Sequence, residues 1–346
     1  MITKEKHLTP LPPPPNWPAN AAGPLRLYAA SNGAGKQLRL GVLPLTRFLN
    51  GHTFFVQHVH TLPNAVPPLS VHMTYQFAEG SKFPYGKRQR LREASLWLAD
   101  DATYFGGADG RFLAVSVDGG TLPPASLGVD VDSREAVRRH LEEHRHRTAV
   151  LRSLLGIAKA LNRVLVLPRM LCYCDFLWKE MRACRVGGAE TMRLPFECPM
   201  DHVLDTPKWF EGGTLGVSVR EPQFLSNPRV SPETLSSIAK VSLPEGARTA
   251  DEIVQHLAPH ADKAVIELES VADRFCGWQQ HEKDSEFLRE THRLLAYKRV
   301  PFCIMEGSDA PLYSQCCTNR TEGEKFFPCI WGFDDPPATL PGCMAS

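Results

Sequence analysis

Nowhere does the sequence contain an uninterrupted apolar run approaching the roughly 18 residues of a membrane-spanning helix. Its opening residues, MITKEKHLTPLPPPPNWPANAAGP, have no apolar centre of a secretory signal, so the chain read on its own is expected to be soluble. A surplus of charge is missing as well. With 39 basic and 38 acidic residues the formal net charge is +1, which removes any bulk field that would favour nucleic acid or an anionic membrane. Any anion must therefore be bound locally. Internal repeats are absent, and the cluster Cys172, Cys174, Cys184 and Cys198 has none of the paired C-x-x-C knuckles of a structural zinc site.

The 346 residues, 43% hydrophobic and 22% charged, suffice for about two domains with real cores. Ten cysteines, crowded at 172–198 and again at Cys303, Cys316, Cys317, Cys329 and Cys343, suit an oxidising lumen better than cytosol. The sequon Asn319-Arg320-Thr321 points the same way.

Proline, alanine and asparagine dominate residues 9–24, so 1–24 reads as a disordered leader. Beyond it, short apolar runs such as LRLGVLP (38–44) and HTFFVQ (52–57), broken by Asn-Gly and proline, predict strands over 25–115, and 116–131 reads as a connection. Asp132 with Glu135 forms a capping-box start. Apolar residues then recur at Val150, Leu151, Leu154, Leu155, Ile157, Ala158 and Leu161, a helical period. Asn162 can take the left-handed conformation that ends a helix. Arg163-Val-Leu-Val-Leu-Pro168 is then a buried strand, so 132–168 is one helix–strand unit of an α/β layer.

Three motifs invite chemistry. His140-Leu-Glu-Glu-His144 fits the inverted zinc-protease pattern, yet without a third ligand the solvated face of the basic run RRHLEEHRHR is the favoured reading. Asp130-Val131-Asp132 is a D-x-D able to hold a divalent metal, but capping at a helix start is favoured for Asp132. For the clustered cysteines a Cys172–Cys198 disulfide is preferred to a metal site. A lone histidine, His72, followed by the glycine-broken basic run around Gly86, Lys87 and Arg88, reads either as a core histidine beside a solvated face or as a metal ligand beside a diphosphate grip.

The runs GVLPLTRFLNGHTFFVQ (41–57), VHMTYQFAEGSKFPYGKRQRLRE (71–93), LRSLLGIAKALNRVLVLPRMLCYCDFLW (151–178), RLPFECPMDHVLD (193–205) and VREPQFLSNP (219–228) together resemble plant extensin arabinosyltransferases of glycosyltransferase family 77. Beyond residue 230 the likeness thins to Cys316-Cys317 and Trp331. The resemblance implies an α/β protein of the Golgi lumen or membrane: the C-terminal half of a GT-A-like nucleotide-diphospho-sugar transferase domain at 25–125, then a second, Rossmann-like α/β region at 126–346. It implies a retaining transferase that uses UDP-arabinofuranose or another UDP-pentose, Mn2+ or Mg2+, and a cell-wall glycoprotein or polysaccharide acceptor. Nucleic acid is not implied.

By the same resemblance His72 holds the metal, and Gly86, Lys87 and Arg88 grip the donor diphosphate, although this chain has a slightly longer stretch between His72 and Gly86 than the family pattern. Imidazole suits manganese, and the two cations would offset charge on a departing nucleoside diphosphate, with Lys82 a rival cation. His52, Gln57, Arg152, Asn162, Asp175, Asp201, His202, Arg220 and Glu221 are candidate cleft residues, each with a structural role as its alternative. His146, not His140 or His144, fits the family block. The strands and D-x-D expected upstream of the resembling region are missing from the sequence. The expectation is therefore a piece of a longer transferase or, alternatively, a non-catalytic carbohydrate-binding or scaffolding module.

Overall fold

The structure is a computed structural model that describes residues 8–11, 26–31, 37–78, 80–107, 110–128, 133–175, 184–190, 192–211, 215–295 and 343. The chain divides into two compact units, 1–75 and 76–346.

In the first unit β1 (Leu8–Leu11), β2 (Arg26–Ser31) and β3 (Gln37–Val42) form an antiparallel meander in sequence order. Strand β1 falls within the segment expected to be a disordered leader. A separate parallel pair joins β4 (Phe48–Asn50) to β5 (Ser70–His72). Between them HTFFVQ, expected as a strand, is helical: α1 spans Gly51–Phe55. The reason is local. The Asn50 side chain accepts from the Thr53 amide and the Thr53 hydroxyl from the Asn50 amide, a reciprocal cap, and every residue of α1 is buried, so no period-2 pattern opposes it.

The second unit is built on a five-stranded, all-parallel sheet of β6 (Phe112–Val115), β7 (Val164–Val166), β10 (Val219–Arg220), β11 (Ile238–Val241) and β12 (Val265–Leu268), in the order β10-β7-β6-β12-β11. Two short strands, β8 (Leu171–Cys172) and β9 (Phe196–Glu197), form a small antiparallel pair between β7 and β10 in sequence. The helices are α2 (Phe83–Glu93), α3 (Val117–Gly120), α4 (Ser133–Leu161), α5 (Thr206–Glu211), α6 (Pro232–Ser236), α7 (Ala250–Leu257) and α8 (His281–Leu295). The α/β class is thus as expected. The unit boundary differs from the expected 125/126, because β6 pairs with both β7 and β12 and a cut there would sever the middle of the sheet.

The steps β6–α4–β7 and β11–α7–β12 run the same way along the sheet. Right-handed crossovers therefore place α4 and α7 on one face, where α4 packs against α7 and α8. Helix α4 ends as expected at Asn162, which has φ 52°. On the opposite face Phe112, Ala114, Val166 and Val265 pack with Phe105, Phe224 and Val230. Alternation along β6 and β7 turns the fully buried Leu113 and Leu165 toward the helices. The connection after β7 runs to the α4 side, where Arg147 donates to the Leu171 carbonyl, whereas the connection after β10 carries Phe224 and Val230 to the other side. The carboxyl ends of β7 and β10 are therefore a place where the chain departs in opposite directions, the position at which open parallel sheets bind ligands.

Arg163 ties the sheet's amino edge by donating to the carbonyls of Phe112, Lys263 and Ala261 at 3.2, 2.8 and 2.9 Å. At the carboxyl edge the Ser116 hydroxyl donates to the Glu269 carbonyl at 2.9 Å. A Cβ on Gly119 would lie 1.8 Å from that carbonyl oxygen, so only glycine fits.

Candidate functional site

The basic run on α4 is not a solvated face. His140, Glu143, His144 and Arg147 are all buried, and their spacing of three, four and seven residues aligns them in one stripe. The Tyr173 amide donates to His140 Nδ1 at 3.2 Å, the Leu122 amide to Glu143 Oε2 at 3.2 Å, and Arg147 Nη2 to the Leu171 carbonyl at 2.6 Å. Burial first, then the charge of Arg147, holds His140 well below its ordinary range and lowers His144 to about 3, so both imidazoles are neutral. Burial raises the Glu143 carboxyl. Among the described residues no group of three His, Cys, Asp or Glu side chains could hold a metal ion, so the zinc-protease pattern has no site there.

A second buried network assembles three of the expected cleft residues. Arg90 Nε donates to Asp201 Oδ1 at 2.7 Å, and the Phe77 amide donates to Asp201 Oδ2 at 2.9 Å. Arg90 Nη2 lies 3.3 Å from His202 Nδ1, while His202 Nε2 lies 3.0 Å from Asp175 Oδ1. A guanidinium only donates, so Nδ1 is the acceptor and Nε2–H the donor to Asp175. At the edge of this network Glu93 Oε1 accepts from Gln89 Nε2 at 2.9 Å and from the Met200 amide at 3.1 Å. Burial, and next the carboxylate of Asp201, push the Glu93 carboxyl up to about 8. Two disulfides bracket the network: Cys172–Cys198, with the sulfurs 2.07 Å apart, and Cys174–Cys184, next to Asp175, whose amide donates to the Cys184 carbonyl at 2.9 Å. A third joins Cys276 to Cys343. Arg90 and Glu93 were not singled out from the sequence. Their signal was available, since they lie two and five residues beyond Arg88 on the same helix.

The third constellation lies at the carboxyl end of β10. Arg220 Nε donates to the Tyr104 carbonyl at 2.7 Å, and its guanidinium carbon lies 4.0 Å from the centre of the Tyr104 ring. The Arg92 guanidinium lies 4.5 Å from the same centre and is held by a bidentate ion pair to Asp100. The Tyr104 hydroxyl donates to Glu221 Oε2 at 2.5 Å, and burial, then Glu221, raise its pKa. Burial lowers that of Arg220. Arg220 and Glu221 were expected in a cleft and do come together. Tyr104, which links them, carried no pattern of its own.

The remaining expectations scatter. His72 ends β5 in the first unit and is exposed, whereas Gly86, Lys87 and Arg88 lie on α2 in the second. Lys87 is exposed, and the half-buried Arg88 lies 5.2 Å from the Tyr85 ring centre and 5.7 Å from that of Phe210. Lys82, the rival cation, lies 5.9 Å from the Tyr85 ring centre. Gly86 is buried: a Cβ there would lie 2.1 Å from Gln76 Oε1, which accepts from the Ala78 amide. His52 and Gln57 bond each other, Gln57 Nε2 lying 2.8 Å from His52 Nδ1. Arg152 is half-buried on α4, its pKa lowered by burial and raised in part by Asp273. Asp130, Asp132, Cys303, Cys316, Cys317, Cys329 and the sequon at Asn319 lie outside the described residues.

No family model matches the chain, and no solved structure matches it. The chain is similar to a protein of Arabidopsis thaliana named arabinosyltransferase XEG113, with 28% identity over 341 residues, covering 91% of this chain and 47% of the relative. It thus spans about half the length of the curated relative that it matches.

Proposed function

We propose that the chain is part of a glycosyltransferase of the Golgi lumen that moves a pentose from UDP-arabinofuranose, or another UDP-pentose, to a cell-wall glycoprotein or polysaccharide with retention of configuration. The observation that carries this reading is the similarity to an arabinosyltransferase along 91% of the chain. A parallel sheet whose connections leave in opposite directions at the carboxyl ends of β7 and β10, and the basic residues of α2, support it. Lys87 and Arg88 on α2 neutralise charge gathering on the leaving diphosphate, the moment at which fixed cations lower a barrier. Gly86 lets Gln76 approach α2 closely and keep its bond to the Ala78 amide.

A divalent metal, Mn2+ or Mg2+, would supply Lewis-acid stabilisation of that diphosphate. The described residues offer it one exposed imidazole, His72, and no carboxylate beside it, which does not make a transferase metal shell.

The test is product analysis with UDP-arabinofuranose and manganese on the chain alone and on the chain fused to the part of the Arabidopsis relative outside the match. The fusion should transfer arabinose and the chain alone should not. In the fusion Lys87→Ala should lower turnover about 100-fold, the scale of one lost charge-stabilising donor, without unfolding the protein. Absence of pentose transfer from any UDP donor by the fusion would sink the reading.

A further inference from the structure

Four of the second unit's cysteines close into two bonds, Cys172–Cys198 and Cys174–Cys184, and none of the four is more than 3% exposed. Both bonds start from one short stretch, since Cys172 and Cys174 flank Tyr173. They differ in what else fastens their ends. Cys172 lies in β8, which its ladder to β9 and the bond from the Cys198 amide to the Met170 carbonyl at 2.9 Å already hold beside Cys198. Cys174 and Cys184 lie outside both strands of that pair.

What the second bond adjoins is a member of the buried network. Asp175 follows Cys174 directly, its amide donates to the Cys184 carbonyl at 2.9 Å, and its carboxylate accepts from His202 Nε2 at 3.0 Å. His202 Nδ1 in turn faces Arg90 Nη2, and Arg90 holds Asp201, the acceptor of the Phe77 amide. An Asp175 carboxylate that moved away from the imidazole would leave a buried donor and a buried charge uncompensated, so the network closes as a unit. A bond across a separation of 10 residues favours the closed arrangement about 100-fold by limiting the open chain.

We propose that Cys174–Cys184 is an oxidation-dependent lock on this network: the bond holds Asp175 against His202, and without it the Asp175–His202–Arg90–Asp201 chain stays open while the parallel sheet still folds. In the closing step the two thiols are oxidised. One sulfur–sulfur bond forms, and two protons and two electrons pass to a disulfide oxidant of the glutathione type, which leaves as two thiols. Because all four sulfurs end up buried, the bond is set as the unit folds and is afterwards out of reach of reductant. Arg90 lies two residues beyond Arg88 on α2, so closure also fixes the helix that carries the residues assigned to the diphosphate. That consequence rests on the donor reading given above; the lock itself does not.

Amide hydrogen exchange on the chain without nucleotide tests it. The Phe77 and Met200 amides, whose acceptors are Asp201 and Glu93, report on the network, and the Leu165 and Val265 amides, bonded to the Ser218 and Ser237 carbonyls, report on the sheet. With Cys174→Ala and Cys184→Ala together, the first pair should exchange at least about 100-fold faster than in the parent while the second pair stays protected. Asp175→Ala should speed the first pair in the parent, but by no more than about 2-fold in the protein lacking the bond, where no closed network is left to lose. Refolding the reduced, unmodified chain in glutathione buffers of rising oxidised share needs no substitution: protection of Phe77 and Met200 should appear together with closure of Cys174 to Cys184 in mass mapping. Protection of those amides while both cysteines are thiols overturns the proposal. So does an Asp175→Ala effect of equal size with and without the bond, which would make the disulfide a general stabiliser. Loss of sheet protection along with that of the network overturns it too, since the whole unit would then need the bond. UDP binding, titrated on the same samples, is a separate outcome: its absence at full closure counts against the donor reading alone and leaves the lock standing.

Discussion

Replacing Asp201 with alanine strikes the second unit where its polar groups are most deeply buried. Asp201 and Arg90 are each 1% exposed, and the carboxylate accepts both the Arg90 guanidinium at 2.7 Å and the Phe77 amide at 2.9 Å. Removing one partner of a buried ion pair costs about 3–5 kcal/mol, and the orphaned amide adds roughly 1 kcal/mol. Some of this returns, because Glu93 loses the like charge that helps raise its pKa. A net loss of about 4 kcal/mol, at roughly 2–4 °C per kcal/mol for a unit of this size, predicts a melting temperature lower by about 8–16 °C. Scanning calorimetry reads it directly. Titration of Glu93 by carboxyl-detected NMR supplies a second readout, since its midpoint should fall from about 8 once Asp201 is gone. A melting temperature within about 2 °C of the parent, with the Glu93 midpoint unmoved, would refute the argument that this network holds the unit together.

Glu93 itself predicts a pH dependence. Its folded value of about 8 lies above the ordinary 4.5, so the stability it confers is complete below 4.5 and is lost as pH rises through about 8. Glu93→Gln should therefore melt near the parent at the acid end of that window and above it at the alkaline end; parallel curves across the range would contradict this. Mass mapping without reductant should find Cys172 linked to Cys198, Cys174 to Cys184 and Cys276 to Cys343. Opening the first of these by Cys172→Ala with Cys198→Ala should cost about 3 kcal/mol for a separation of 26 residues, measured by denaturant titration.

The helix–strand unit at α4 and β7 was legible because its signals are local: a helical period, an asparagine stop, and a valine–leucine run closed by proline. So was the strand at 38–44, which lies in β3 for most of its length. HTFFVQ misled because a fully buried helical turn has no amphipathic period, and the deciding event, the reciprocal cap between Asn50 and Thr53, involves residues just outside and inside the run. The basic stretch on α4 misled for the opposite reason. Charged residues usually face water, and the carbonyls and amides that allow these to be buried come from Leu122, Leu171 and Tyr173, distant in sequence. Asp175, Asp201 and His202 could be proposed one at a time, but their union through Arg90 depends on a separation of over a hundred residues that no pattern encodes. Tyr104 is of the same kind.

The order of the parallel sheet also constrains how the chain can be made. Strand β6 is the first of the five to leave the ribosome, and one of its neighbours, β12, is the last. Until residue 268 has been synthesised, β6 keeps one edge of amides and carbonyls unpaired, and Arg163 lacks the Lys263 and Ala261 carbonyls that it later clamps. Pairing across some 150 residues of intervening chain makes closure of the sheet a slow, non-local step. The nascent protein thus carries an open strand edge while some 150 further residues are made, the condition under which chaperone binding competes with edge-to-edge association.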